Sequence, residues 1–217
     1  MNILVLGASG GCGRWVCRLA SDRNHNVKAV VREGSNAPHL PKVVEIQADI
    51  LDQSVWPSLL QEQDAVISAL GIKRTNPKNP FSKLASPKGL TTMAVDFVVQ
   101  NAPPSLKKIA VISAAGVGNS YASTVGLLRW LISNSNMKPS YNDLETMEGV
   151  LSNSGLNWLA VRPTTLYDGS PTDKCKEVHE YRLTTRVSRG DVAQWMIDFV
   201  ESESAPTSRI PIIAQAH

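Results

Sequence analysis

Apolar positions along this chain follow two rhythms in alternation. Short, largely apolar runs at residues 2–6, 27–31, 43–47, 64–70, 107–112 and 156–161 read as strands covered on both faces. Segments with apolar residues at helical spacing lie between them. The first follows residue 13, with Trp15, Val16 and Leu19 apolar. The second, 54–63, turns Val55, Leu59 and Leu60 inward and carries Pro57 in its first turn. Helix 88–101 has Leu90, Met93, Ala94, Phe97 and Val98 on one face, and 121–135 offers Leu127, Leu128, Trp130 and Leu131. Helix 144–153 points Leu144, Met147, Val150 and Leu151 inward and stops at Gly155. Asp191 reads as the N-cap of a helix over 192–201. A run at 209–214, interrupted by Pro211, reads as a final edge strand. Residues 72–87 form a long aperiodic loop, and the sequence is irregular after Tyr167, to about Val187. Strands alternating with helices predict an α/β protein: a doubly wound, mainly parallel sheet with helices on both faces. Without repeats or linkers, residues 1–217 form one domain.

The first strand ends in a glycine turn, GASGGCG, and a helix follows. Each glycine spacing has a physical reason. Gly7 permits the tight turn out of the strand, Gly10 lets the backbone approach a pyrophosphate, and Gly13 packs the helix close to the sheet. Free N–H groups of the first helical turn then face the phosphates. The candidate cofactor-binding residues here are Gly7, Ser9, Gly10, Gly11, Cys12 and Gly13. This order of strand, glycines and helix predicts a Rossmann-like dinucleotide fold with strand order 3-2-1-4-5.

The remaining candidates stand where strands end. Arg32 closes the second strand, where an acid would read the ribose 2′-OH of NAD and an arginine the 2′-phosphate of NADP. Arginine precedes Glu33 here, so NADPH is the expected cofactor; a solvated surface pair is the alternative. Asn36 and His39 in the next loop are further candidates for that phosphate. Asp49 and Ile50, after the third strand, suit the adenine, although Asp49 equally suits a helix cap. Ala69, Leu70 and Gly71 end the fourth strand beside the glycine turn. In the long loop, Lys73, Arg74, Lys78 and Lys83 are cations able to steer an anionic group, Arg74 being the favoured cofactor contact; the alternative is a solvated loop. Ser113 ends the fifth strand at the nicotinamide side, where it would orient or polarise an acceptor; satisfying backbone groups is its alternative role. Pro163, Thr164 and Thr165 follow the sixth strand and suit the carboxamide. A small substrate-binding part is expected near 114–141 and 166–188, where His179, Tyr181 and Arg182 have no task assigned by spacing.

Composition narrows the partners. The 217 residues are 42% hydrophobic with a net charge of +3, and no basic run is interleaved with aromatics, which argues against nucleic acid. No apolar segment approaches the ~20 residues of a membrane helix, and no secretory signal opens the chain. The three cysteines, Cys12, Cys17 and Cys175, have no metal-ligand spacing, so no metal is expected and reduced thiols in a cytoplasmic compartment fit, or a stromal one after transit-peptide removal. Cys12, at a helix N-terminus, is placed for a stabilised thiolate or, more simply, as a small residue facing the cofactor. Most apolar residues fit one core, which favours a monomer.

With GASGGCG, VVRE, ADILD, DAVISALG, VISAAGV and LETMEGVLSNSGLNWLAVRPTTLYDG, the chain resembles the atypical short-chain dehydrogenase/reductases. It is most similar to their NAD(P)-binding group that includes flavin reductase/biliverdin reductase B and the NmrA-like proteins. The resemblance covers nearly the whole chain and implies a Rossmann fold and NADPH. One departure is informative. The larger family pairs Tyr-x-x-x-Lys, whereas Tyr141 is followed at that spacing by Glu145. A standard sugar dehydrogenase or epimerase is therefore not expected. The resemblance implies instead hydride transfer to a planar small-molecule acceptor, FMN, FAD or a biliverdin-type tetrapyrrole, with Ser113 as the catalytic candidate. The rival reading is an NmrA-like redox sensor that binds NADP(H) without turnover. A third is an assembly factor on a relict fold, against which the intact glycine turn and Arg32 argue.

Overall fold

The computed structural model describes residues 1–182, 184–203 and 208–215. The strands are β1 (Asn2–Leu6), β2 (Asn26–Val31), β3 (Val43–Gln47), β4 (Ala65–Ser68), β5 (Lys108–Ile112), β6 (Asn157–Pro163), β7 (Thr165–Tyr167), β8 (Cys175–Glu177), β9 (Arg186–Ser188) and β10 (Ile212–Gln215). The helices are α1 (Gly11–Asp22), α2 (Trp56–Leu60), α3 (Leu90–Gln100), α4 (Gly126–Asn134), α5 (Lys138–Ser152) and α6 (Arg189–Glu201). Eight strands form one sheet in the order β3-β2-β1-β4-β5-β6-β10-β8, and β7 pairs with β9 separately. All neighbours in the large sheet run parallel except β8 on β10. The fold is thus α/β and Rossmann-like, and the 3-2-1-4-5 half appears as expected.

Alternation along each strand sorts side chains between two cores. Ile3 and Val5 face α1 and α6, meeting Val16, Ala20, Val192 and Met196. Leu4 and Leu6 face α2, α3 and α5, meeting Trp56, Leu60, Ala94 and Met147. All four strand residues are fully buried, and each is worth about 1.5–3 kcal/mol on that account. Both faces of the parallel sheet are covered, so its strands read as apolar runs.

Several boundaries differ from expectation. On α1 the buried stripe is Cys12, Val16, Cys17 and Ala20, while Trp15 and Leu19 are half-buried at its margin. The helix expected over 54–63 is a 3₁₀ turn at Gln53–Val55 continued by α2, with Trp56 at its buried centre. Asp52 caps the turn by accepting from the Ser54 N–H. In the 121–135 segment only α4 is α-helical, and Leu127 and Trp130 are 60% and 55% exposed. Helix α5 begins six residues before the expected start at 144, with Pro139 in its first turn. Ser188, not Asp191, caps α6, accepting from the Asp191 N–H. The 209–214 run is not an edge: β10 lies between β6 and β8, and Pro211 precedes it. The true edge, β8, lies in the stretch expected to be irregular, as does most of β9. No helix among the described residues is long and apolar enough to cross a membrane.

Candidate functional site

The turn from β1 to α1 is built by steric exclusion. Gly7 has φ of +75°, and a Cβ there would stand 2.9 Å from the Ala69 carbonyl oxygen at the end of β4. A Cβ on Gly13 would collide with the Gly7 carbonyl, so the bare glycine lets α1 approach the strand. The Gly10 N–H donates to the Gly7 oxygen at 2.9 Å and closes the turn. Gly10 is also the N-cap of α1, and no side chain caps the first helical N–H groups. Those donors remain open for an anion.

A cleft of about 750 Å³ opens beside this turn, at the C-terminal ends of β1 to β4. Of the residues expected to hold a cofactor, Gly7, Ser9, Gly10, Arg32, Asp49, Ile50, Ala69, Leu70 and Gly71 line it. Lys73, Ser86, Pro87 and Leu90 complete the far wall. Lys73 had appeared only as a steering cation, and Ser86, Pro87 and Leu90 carry no motif; they reach the cleft because the long loop folds back before α3. Asp49 is exposed, and its carboxylate takes the Leu51 N–H at 3.0 Å, while Asp52 does the capping. Arg14 links two walls, donating from Nε to the Ser9 carbonyl at 3.1 Å and from Nη2 to the Asn36 carbonyl at 3.1 Å. A glycine turn, an open helix start and an exposed Arg32 fit a dinucleotide with its adenosine in this cleft.

Other candidates sit elsewhere. Gly11 is exposed but does not line the cleft. Cys12 packs into the core, and burial pushes its thiol up to about 11, with the nearby Arg189 charge lowering and Asp168 raising it. A stabilised thiolate is therefore corrected to a neutral, inert thiol. Cys17 and Cys175 are likewise free and shifted upward, to about 12 each, chiefly by burial. No cluster able to hold a metal ion occurs among the described residues.

Beyond β5 lies a buried polar knot. Ser113 donates to Glu148 Oε1 at 2.6 Å. Arg162 grips the same carboxylate with Nε at 2.9 Å and Nη2 at 2.6 Å, and its Nη1 donates to Asn119 Oδ1 at 2.6 Å. Ser113 is 4% exposed and its proton is committed to Glu148. As an acceptor-polarising donor it is thus already engaged. Pro163 accepts from the Ala115 N–H, the Thr164 hydroxyl donates to the Ile213 carbonyl at 3.4 Å, and Thr165 is exposed in β7. Neither this group nor Ser113 lines the large cleft.

A second cavity, about 350 Å³, lies between the β5 exit and helices α4 and α5. Its walls include Gly116, Gly118, Tyr121, Lys138, Tyr141 and Glu145. Tyr141 donates to the Ala115 carbonyl at 3.4 Å. Its phenol is pushed up to about 12 by burial, with Tyr181 adding to the shift and the Arg74 charge opposing it. Arg74 lines neither cavity. Its Nη2 donates to the Pro77 carbonyl at 3.0 Å, and its buried Nε–H has no partner among the described residues. Tyr181 is buried with its hydroxyl 2.7 Å from that of Thr124, whereas His179 and Arg182 are exposed.

The chain belongs to the NAD(P)H-binding family, whose model matches residues 7–203. Among curated proteins it is 34% identical over 90 residues to 3-diazoavenalumate denitrifying reductase of Streptomyces sp, across 39% of this chain and 29% of that protein. It is 27% identical over 132 residues to the chloroplastic Epimerase family protein SDR39U1 homolog of Arabidopsis thaliana, across 58% of this chain and 38% of that protein. The matches thus span well under half the length of these curated relatives. Among solved structures, the anaerobilin reductase ChuY of Escherichia coli O157:H7 superposes with a TM-score of 0.77 at 21% identity, covering 99% of this chain and 97% of that one. A Streptococcus pneumoniae protein assigned as an NADH-flavin reductase gives 0.74 at 20% identity, with both chains wholly covered. At such identities the likeness speaks for the fold.

Proposed function

We propose that this chain is an NADPH-dependent reductase that passes a hydride to a flat conjugated acceptor, a flavin or a linear tetrapyrrole. The observation that carries this reading is the state of Tyr141. It sits on α5 with Glu145 four residues on, its phenol is half-buried and its pKa is pushed up. No lysine stands at that spacing to lower it, so Tyr141 is not the proton donor of a Tyr-x-x-x-Lys pair. An acceptor that takes its proton from solvent suits such a site. The names of the tetrapyrrole and flavin reductases among the structural neighbours agree with that class.

NADPH, when bound, supplies the hydride. The chain's part is binding and orientation. Gly7 to Gly13 would hold the pyrophosphate, Arg32 the 2′-phosphate, and Asp49 with Ile50 the adenine. Ala69 to Gly71 and Pro163 to Thr165 belong at the nicotinamide end. Ser113, bonded to Glu148, serves as a positioning residue that fixes the β5 exit. The acceptor part comprises 114–141 and 166–188, of which residue 183 lies outside the described residues.

Stopped-flow absorbance at the NADPH band tests this, with FMN and biliverdin in separate runs and NADH as control. Fast oxidation with either acceptor, lost in Arg32→Ala at low NADPH, is the expected result. Tight NADPH binding with no turnover of any planar acceptor would replace the reductase by a nucleotide sensor.

A further inference from the structure

The glycine turn contains a residue whose bareness the usual reasons leave unexplained. Gly7, Gly10 and Gly13 are accounted for by the turn, the phosphate approach and the helix packing. Gly11 has none of these duties. It is helical and exposed, and its φ is not left-handed. Yet a Cβ built on it would stand 2.5 Å from Arg189 Cδ and 2.6 Å from Arg189 Nε. The space that a side chain at position 11 would fill is occupied by an arginine from the start of α6, 178 residues further along.

Arg189 brings charge as well as bulk. Its guanidinium carbon lies 3.6 Å from that same point, so the cation rests beside the first residue of α1, where the uncapped N–H groups begin. Its charge reaches Cys12, where it works against the burial that raises the thiol. Only Nη1 is engaged, with Asp168 Oδ1 at 2.7 Å, and that aspartate is 93% exposed. Nε and Nη2 have no partner among the described residues. A half-buried guanidinium with free donors, seated at an open helix start, is suited to a bidentate grip on a phosphate.

We propose that Arg189 binds the pyrophosphate of the dinucleotide, replacing from the far end of the chain the side chain that Gly11 lacks. This rests on the cofactor reading given above. It also assigns Gly11 its purpose: position 11 is bare so that Arg189 can cross it. Asp168, 93% exposed, is then only the counter-ion that Nη1 keeps while Nε and Nη2 take the phosphate.

Equilibrium binding followed by NADPH fluorescence tests the assignment, with adenosine 2′-monophosphate, which has no pyrophosphate, as the second probe. Arg189→Ala should weaken NADPH about 10- to 100-fold, the range of one or two charge-assisted hydrogen bonds. Its affinity for adenosine 2′-monophosphate should stay within about twofold, and Arg189→Lys should recover part of the loss. Gly11→Ala should weaken NADPH in the wild-type background but not further in Arg189→Ala, because the collision partner is then gone. Asp168→Ala should leave NADPH binding unchanged or slightly tighter, since a nearby negative charge is removed. Equal loss for both probes in Arg189→Ala, or a comparable loss in Asp168→Ala, would make the arginine a structural strut and overturn the proposal. So would unchanged NADPH affinity in Arg189→Ala. Failure of the wild-type chain to bind either probe would overturn the cofactor reading as well.

Discussion

The knot of Ser113, Glu148, Arg162 and Asn119 shows what single residues contribute beneath the site. Glu148 and Arg162 are each about 5% exposed or less, and they meet through two parallel hydrogen bonds. A buried pair of this kind adds little over an apolar pair, but removing one partner strands a charge. Glu148→Gln and Arg162→Met should each cost about 3–5 kcal/mol, and Glu148→Leu with Arg162→Met should recover most of it. Ser113→Ala should cost about 1 kcal/mol, the worth of one hydrogen bond. Urea unfolding checks all four, and a double variant no better than the singles would mean that the pair is not what holds this region. Residue roles were unevenly legible. Gly7, Gly10 and Arg32 could be placed at the cleft because their positions depend on local backbone and chain order. Ser113 stood at the predicted strand end, but its partner comes from α5, and nothing in its spacing announced Glu148. Arg189 was equally silent, since its contact with Gly11 depends on two helices being docked.

At the level of elements, α1 and α6 form a joint on one face of the sheet. They pack through Val16, Ala20, Val192 and Met196 and are clamped at their C-terminal ends. Arg23 donates to Asp198 at 2.6 Å and to Glu201 at 2.5 Å, His25 meets Glu201 at 2.6 Å, and the chain's amino group is 3.3 Å from His25. Burial alone would raise the Glu201 pKa, but hydrogen bonds and charge from His25 and Arg23 together bring it below its ordinary value. A carboxylate lowered on folding stabilises the native state above its unfolded pKa and loses that contribution as pH falls through the folded value. Glu201→Gln should therefore lower stability at neutral pH by at most about 1 kcal/mol, as for partly exposed pairs. It should also flatten the decline on acidification below about pH 4.5, near the unfolded carboxylate pKa. Chemical unfolding at a series of pH values decides it: an unchanged acid slope would mean that the clamp does not form in solution. Helix α3 was legible because it buries a stripe that includes Ala94, Phe97 and Val98. The start of α5 was missed because its first turn carries Pro139, Ser140 and Asn142, which give no apolar rhythm. The strands β7, β8 and β9 are three residues each, too short for periodicity; only their pairing partners define them.

For the whole molecule, the sheet order from β3 to β5 was legible because crossovers between parallel strands are right-handed and the glycine turn fixes β1 at the switch point. The far side was not, since β10 inserts between β6 and an antiparallel β8 through contacts remote in sequence. The cleft spans the ends of four strands that share both cores, so it exists only while the sheet is intact. A ligand held there binds the native state alone and raises stability by RT ln(1 + [L]/Kd), about 2.7 kcal/mol at a hundredfold excess over Kd. For a chain of this size, each 1 kcal/mol moves Tm by about 2–4 °C. NADPH at that excess should therefore raise Tm by about 5–10 °C. If Arg32 reads the 2′-phosphate, NADH at the same concentration should bind about tenfold more weakly and stabilise by about 1.4 kcal/mol less, placing its Tm about 3–6 °C below that of the NADPH complex. Arg32→Ala should close that gap by reducing the NADPH shift while leaving the NADH shift nearly intact. A thermal melt with each nucleotide over a concentration series measures both quantities, because the logarithmic dependence returns Kd. Equal shifts for the two nucleotides in the wild-type chain would remove Arg32 as the discriminating residue while leaving the cleft as the binding site. A shift with neither would place the nucleotide elsewhere on the sheet.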